Sequence, residues 1–509
     1  VAGRRIASVN DNHDDNHDEE RVEAELKRLS DHIDHDAGEM SVILAAGHGK
    51  RIKSEKSKML HEIWGRPSVL RVSDAACNGL SSANQVVVVG RKALEVANAL
   101  GKRPNRVFVY QSEQRGTGDA VRAALRHPEL RTFKGVAYII PGDMGLITAS
   151  TLVEMKRKFT DSGCDMLVTT GYHEGSIEEN YYGRILKSKN STDSIIEIKE
   201  HRDILAMEPS SVYRVPFRDR EERFSREELL AIREFNVGVY AIRIEHLRKL
   251  IVQLDANNVQ EEIYVTDLIK IFNDNGLGVC SSPISNNDLA LSFNVKSVLK
   301  KMDATFRDMV YEQLKDIITI DDPEDFFIAE ETVNRIVTMD RELPPLDIHM
   351  GKGVWIGEHV RLGRGTRVDK NAILSGNLIL GDNVRIGENV YLATYPEQTM
   401  RIGDGSRIFR GNVIQGNVTI GKGVRIETGV RITGSDEDPV VINDHVIIKG
   451  MTYIYGSIIE DNLLIEHSIL KRRYVEKVVR KNGEVQPIKY ILPHPEGLDS
   501  ISYLDERKQ

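Results

Sequence analysis

Residues 41–61 read SVILAAGHGKRIKSEKSKMLH, a short apolar run that passes at once into a glycine-punctuated turn. Ser41 to Leu44 has strand composition, and Gly47 and Gly49 let the backbone beyond it approach a ligand closely. Consecutive backbone N–H groups in such a turn point at one concave spot, a nest for phosphate. Lys50, Arg51, Lys53 and Lys58 follow just downstream, so a triphosphate would meet both dipoles and charges. Further buried-type runs, Gln85 to Val89, Arg106 to Tyr110, Val136 to Ile140 and Asp165 to Thr169, alternate with helix-like segments. That alternation predicts an α/β fold with a largely parallel sheet covered by helices. Ligands of such sheets sit at the carboxyl ends of the strands, where the glycine loop and Gly142-Asp143 both fall.

The period then changes. Ile356-Gly357, Leu362-Gly363, Val368, Leu374, Leu380-Gly381, Ile386-Gly387 and Leu392 place an aliphatic residue every six positions. Phase slips at TYPEQTM and resumes from Ile402-Gly403 through Ile432, and less regularly to Ile454. These aliphatic residues read as the inward-facing core of a left-handed parallel β-helix of hexapeptide repeats, with roughly six coils. The expected division is an N-terminal extension over 1–39, partly disordered with one helix; a catalytic domain over 40–300; a helical linker over 301–345; the β-helix over 346–470; and a C-terminal hairpin and tail over 471–509. In the extension, Val22, Leu26, Leu29 and Ile33 form an apolar stripe at helical spacing. Asn482-Gly483 signals the hairpin.

The chain has 509 residues and a formal charge of -8, too long for one core and without a dense basic face, which argues against nucleic-acid binding. Three scattered cysteines, Cys77, Cys164 and Cys280, fit free packing thiols in a reducing compartment. No apolar run approaches a membrane span and no signal-peptide core is visible, so a cytoplasmic protein is expected.

The string LAAGxGxR, a Lys seven residues on within KxLH, and a Gly-x-Pro resembles the signature of sugar-1-phosphate nucleotidyltransferases, and most closely the bacterial N-acetylglucosamine-1-phosphate uridyltransferases. The resemblance runs in chain order from Leu44 to Asn294. It implies a Rossmann-like nucleotidyltransferase domain with a GT-A-like mixed sheet, and an Mg²⁺-dependent uridylyltransferase that makes a UDP-sugar and pyrophosphate from UTP and a sugar 1-phosphate. It also implies a homotrimer through the β-helix. The alternatives are a bifunctional uridyltransferase/acetyltransferase and a thymidylyltransferase.

By this resemblance Arg51, Lys58 and Asp143 are the catalytic residues, and Asp143 with Asn294 holds the metal. An oxygen-only shell of one carboxylate and one amide, completed by phosphates and water, suits Mg²⁺. Leu44, Ala45, Ala46, Gly47 and Gly49 cradle the nucleotide, and Gln111, Gly116 and Thr117 in YQSEQRGTGDA contact the base. Gly183, Glu200, Asn236 and Thr266 take the positions of the sugar contacts. Two departures leave the sugar open: Val237 stands where the family has Thr, and residues 204–230 are inserted beside the pocket. They predict a looser preference than one for N-acetylglucosamine alone. The acetyltransferase motifs are absent: Gly450-Met451-Thr452-Tyr453 lacks the expected base and no N-Y-D-G loop occurs, so His359, His445 and His467 read as coil-corner or surface residues.

Overall fold

Nine strands pair into one mixed sheet in the order Arg106–Tyr110, Gln85–Val89, Glu39–Ala45, Val136–Pro141, Glu234–Arg243, Met166–Tyr172, Val279–Pro283, Ser191–Lys199 and Arg184–Ser188. This computed structural model describes residues 11–47, 49–188, 191–218, 220–256, 258 and 260–489. The sheet belongs to the first of two units, Val1–Asp303 and Ala304–Gln509. Its first four strands are parallel, and Glu234–Arg243 then runs antiparallel to both of its main neighbours. Helices cover both faces, so the central strands are buried on both sides; all of Gln85–Val89 is buried. A strand buried twice needs an unbroken apolar run, which is why QVVVV reads as it does.

The N-terminal extension closes an edge of this sheet. Its helix Asp11–Leu29 takes in most of the polar tract expected to be disordered. Leu26, Leu29 and Ile33 are buried, and Val22 packs on the same core cluster as Leu26 and Leu29. Beyond the helix, Asp31 N–H donates to Arg106 O at 2.7 Å, and Phe108 N–H donates to Ser30 Oγ at 2.9 Å. The free edge of Arg106–Tyr110 is thereby covered rather than left to recruit another chain.

In the second unit, three parallel sheets of nine, eight and seven short strands wind as a left-handed β-helix of hexapeptide repeats. Val368, Ile386, Ile408, Ile426 and Ile448 stack inward on one sheet, and Leu374, Leu392, Ile414, Ile432 and Ile454 on another, all buried. Arg367 pairs with Arg385 one coil on, whereas Arg385 pairs with Arg407, because TYPEQTM adds residues to a corner without breaking the ladder. The segment 301–345 is more than a helical linker. It holds the helix Glu330–Glu342, but Thr319–Ile320 and Phe327–Ile328 add to the β-helix sheets. Two-residue strands carry no readable period, so the sequence hid this first coil. At the other end Val479 and Val485 form the antiparallel bridge around Asn482-Gly483, after which Ile488–Lys489 rejoins the helix beside Leu464–Glu466; the tail from 490 lies outside the described residues.

Candidate active site

The strand Glu39–Ala45 lies between Gln85–Val89 and Val136–Pro141, with Ala45 opposite Val89 and Leu44 opposite Pro141. Gly142 N–H donates to Leu44 O at 2.9 Å and Gln111 N–H to Val89 O at 2.8 Å, so the glycine loop, Asp143 and Gln111 share one carboxyl edge. Ala45 and Ala46 are small for a reason. A Cβ on Gly90 would stand 3.0 Å from Ala46 Cβ, and one on Gly142 3.5 Å from Ala45 Cβ, so the neighbouring loops already touch these two side chains. Gly49 has φ +62, and a Cβ there would lie 2.8 Å from Lys58 Cβ. A side chain at that position would therefore be both strained and crowded. Gly47, Gly49, Lys53, Lys56, Arg91 and Lys92 line an open cavity of about 420 Å³ beside the loop.

The two residues expected to hold the metal, Asp143 and Asn294, meet on a third, the expected catalytic Lys58. Lys58 Nζ donates to Asp143 Oδ2 and, at 2.8 Å, to Asn294 Oδ1, and it lies 5.7 Å from the centre of the Phe293 ring. Lys58 and Asp143 are both buried. One cation thus satisfies two hard oxygens that lie 151 residues apart in the chain, Asp143 Oδ2 and Asn294 Oδ1, which is a donor set that suits a divalent ion completed by phosphate and water ligands. Among the described residues no group of three or more His, Cys, Asp or Glu side chains could hold a metal alone. Arg51 lies in the turn Lys50–Ile52 with its side chain exposed, and among the described residues no hydrogen bond joins it to this group.

Gly116 and Thr117 belong to a loop zipped to residues 263–265. Ile263 N–H donates to Arg115 O at 2.7 Å, Gly118 N–H to Ile263 O at 2.8 Å, and Val265 N–H to Thr117 Oγ1 at 3.2 Å. With φ +116 and Ile263 O only 2.4 Å from a would-be Cβ, position 116 admits glycine alone. Gln111 is buried, and its amide nitrogen donates to Asp119 Oδ2 at 2.8 Å. Asp119 does not stand out in the sequence, although it lies within YQSEQRGTGDA; an acid in the first turn of Thr117–Arg126 looks like an ordinary complement to the helix dipole.

Gly183, Glu200 and Asn236, three of the residues expected around the sugar, come together. A Cβ on Gly183 would lie 3.1 Å from Glu200 Oε1, so glycine leaves room for that carboxylate. Gly183 O accepts from Asn236 N–H at 2.9 Å, and Asn236 Nδ2 donates to the Tyr240 hydroxyl at 2.8 Å. Thr266 is buried, and its hydroxyl finds no hydrogen-bond partner among the described residues. Burial, then the nearby Asp203 and Asp267, push the Glu200 carboxyl up to about 7. Asp267 is pushed up to about 6, again by burial first and then by Glu197 and other carboxylates. Val237 lines a small, mostly apolar space with Met144, Ile147, Leu152 and Val239.

The insertion forms the hairpin Val212–Phe217 and Arg220–Ser225, followed by a short helix with a Ser225/Glu228 capping box. Val215, Phe217 and Phe224 pack on Leu186, Ile196, Ile204 and Leu229. The hairpin also reaches inward: Tyr213 Oη donates to Glu197 Oε1 at 2.5 Å. It is therefore joined to the carboxylate group around Glu200 and is not merely a surface decoration.

Residues 41–220 match the model of the MobA-like NTP transferase domain. Residues 399–434 match that of the bacterial transferase hexapeptide (six repeats). The chain is 32% identical over 292 residues to the "Bifunctional protein GlmU" of Bacillus velezensis, covering 57% of each chain. It is 31% identical to that of Bacillus subtilis over 58% of each chain, and 31% identical to that of Geobacillus thermodenitrificans over 62% of each. The chain thus spans a little over half the length of these relatives. A GlmU-like nucleotidyltransferase domain followed by a hexapeptide β-helix is the architecture these matches and the fold agree on.

Proposed function

We propose that the chain is an Mg²⁺-dependent uridylyltransferase that joins UTP and a sugar 1-phosphate into a UDP-sugar and releases pyrophosphate. The observation that carries this reading is the meeting of Lys58, Asp143 and Asn294 on one point beneath the glycine loop. The similarity of Gly47, Arg51, Lys58, Gln111 and Asp143, in chain order, to uridyltransferase motifs supports it, as do the GlmU relatives.

The sugar phosphate is already largely a dianion at neutral pH, since its second ionisation lies near pH 6, so no general base is required. A phosphate oxygen attacks the α-phosphorus while the bond to the β-phosphate bridging oxygen breaks, and pyrophosphate leaves with the electron pair. The chain's task is to hold two anions in line and to neutralise charge that builds on the α-phosphate and leaving group. The backbone around Gly47 and Gly49 receives the triphosphate, and Arg51 and Lys58 supply fixed positive charge. Asp143 and Asn294 would hold Mg²⁺, which draws electron density from the phosphate oxygens when bound. Gln111, Gly116 and Thr117 receive the base; Gly183, Glu200, Asn236 and Thr266 surround the sugar.

The β-helix is proposed to assemble homotrimers. Trp355, Ile373 and Tyr391 face outward in register on one sheet, and each stays more than a third exposed in the single chain. An exposed apolar ladder of this kind marks an interaction face. Among the described residues no helix is long and apolar enough to cross a membrane.

The deciding measurement is pyrophosphate release by the purified chain with each nucleoside triphosphate against a panel of sugar 1-phosphates, with and without Mg²⁺. Release that requires Mg²⁺, a pyrimidine triphosphate and an aldose 1-phosphate is expected. Release with ATP or GTP but no pyrimidine triphosphate overturns the assignment of the base.

A further inference from the structure

We infer that Asp119 decides which pyrimidine is accepted, by fixing which end of the Gln111 amide faces the base. This rests on the reading of Gln111 as the base contact. A glutamine amide is two-faced: its oxygen accepts, its nitrogen donates, and a rotation of the terminal group exchanges them. Left alone, such a group matches uracil in one orientation and cytosine in the other. Here it is not left alone. Gln111 is buried, its backbone N–H is tied to Val89 O at 2.8 Å, and its amide nitrogen donates to Asp119 Oδ2 at 2.8 Å. A carboxylate accepts hydrogen bonds and has none to give, so the nitrogen must stay on the Asp119 side and the amide oxygen must take the other. The carboxylate is itself placed by the first turn of Thr117–Arg126, a helix whose start is pinned to Ile263 and Val265 by the Gly118 N–H and the Thr117 hydroxyl.

An amide oxygen held toward the base accepts from the N3–H that uracil and thymine carry. Cytosine has a bare acceptor at that position, and two acceptors face to face leave both unpaired. A site built around a hydrogen bond rejects a ligand that cannot complete it, at a cost of about one to two orders of magnitude or more. The same edge is shared by uracil and thymine. The device therefore separates UTP and thymidine triphosphate together from CTP, and it leaves the choice between the first two to other contacts.

The test is the ratio of kcat/KM for UTP over CTP in the full chain, with one sugar 1-phosphate and Mg²⁺. Asp119→Asn offers a group that can donate as well as accept, and Asp119→Ser a hydroxyl that can do the same; both free the amide to turn. Each is expected to lower the ratio by about 10-fold or more, mainly by raising activity on CTP. The double variant Q111E/D119N restores a fixed acceptor toward the base, because the carboxylate introduced at position 111 can only accept from the amide introduced at position 119. It is expected to recover most of the discrimination. If Asp119 served only the helix dipole, the single variants would lower the melting temperature and leave the ratio unchanged, which overturns the inference. A wild-type chain that uses no pyrimidine triphosphate instead overturns the underlying reading of the site.

Discussion

Lys58 and Asn294 lie at opposite ends of the nucleotidyltransferase domain's sequence, and a 2.8 Å hydrogen bond from Nζ to Oδ1 joins them. The same ammonium donates to Asp143 Oδ2, so one positive charge organises three segments of chain. The geometry explains why an amide suffices at position 294. A second carboxylate would add negative charge beside Asp143, whereas an amide supplies an uncharged oxygen.

Asp143→Asn keeps an oxygen for Lys58 but removes the negative charge. The variant should fold normally by circular dichroism while pyrophosphate release falls by about 100-fold or more, the scale of losing a main electrostatic group. Activity within a few-fold of wild type would remove Asp143 from the metal site.

The pH dependence of stability follows from Glu200. Its folded value, up to about 7, exceeds the ordinary 4.5, so between those values the folded chain holds a proton that the unfolded chain has released. Stability therefore falls as pH rises through that window, by at most about 3 kcal/mol, and Asp267 adds to the fall at its lower end. Glu200→Gln should flatten the decline, and its melting temperature should match wild type near pH 5 yet exceed it by a few degrees at pH 8. Parallel curves for the two proteins would contradict the assignment.

Gly116→Ala places a methyl 2.4 Å from Ile263 O at φ +116. The loop must move or unzip, at a cost of about 2 kcal/mol or more. A raised KM for UTP together with a lower melting temperature is expected, and a variant as stable as wild type would show that the loop yields freely.

Sedimentation should return three times the chain mass. Trp355→Glu combined with Ile373→Lys puts charge on the exposed ladder and should shift the protein toward monomer. A persistent trimer would move the interface to another face.

Incubation with acetyl-CoA and an amino-sugar phosphate should release no thiol above background. His359, His445 and His467 all sit at positive φ, as expected of coil corners, and His359 Nδ1 lies 2.9 Å from Glu331 Oε2. Thiol release abolished by changing one of them would give the β-helix a second activity.

The sequence alone determined what depends on local pattern. Gln85–Val89 and Arg106–Tyr110 appear as their apolar runs announce, because strands buried on both faces tolerate little else. The six-residue period names the inward residues of the coils, because each side of a coil turns one aliphatic side chain to the core. Tertiary structure decided what depends on distant segments meeting. It turned the extension into a sheet-edge cover, drew Thr319–Ile320 into the β-helix, and set Tyr213 of the insertion against Glu197. It also closed Lys58 onto Asp143 and Asn294, and bound Gln111 to Asp119. Periodicity records which face of a segment is buried, but a hydrogen bond between side chains is fixed by the packing of whole elements, which no local pattern carries.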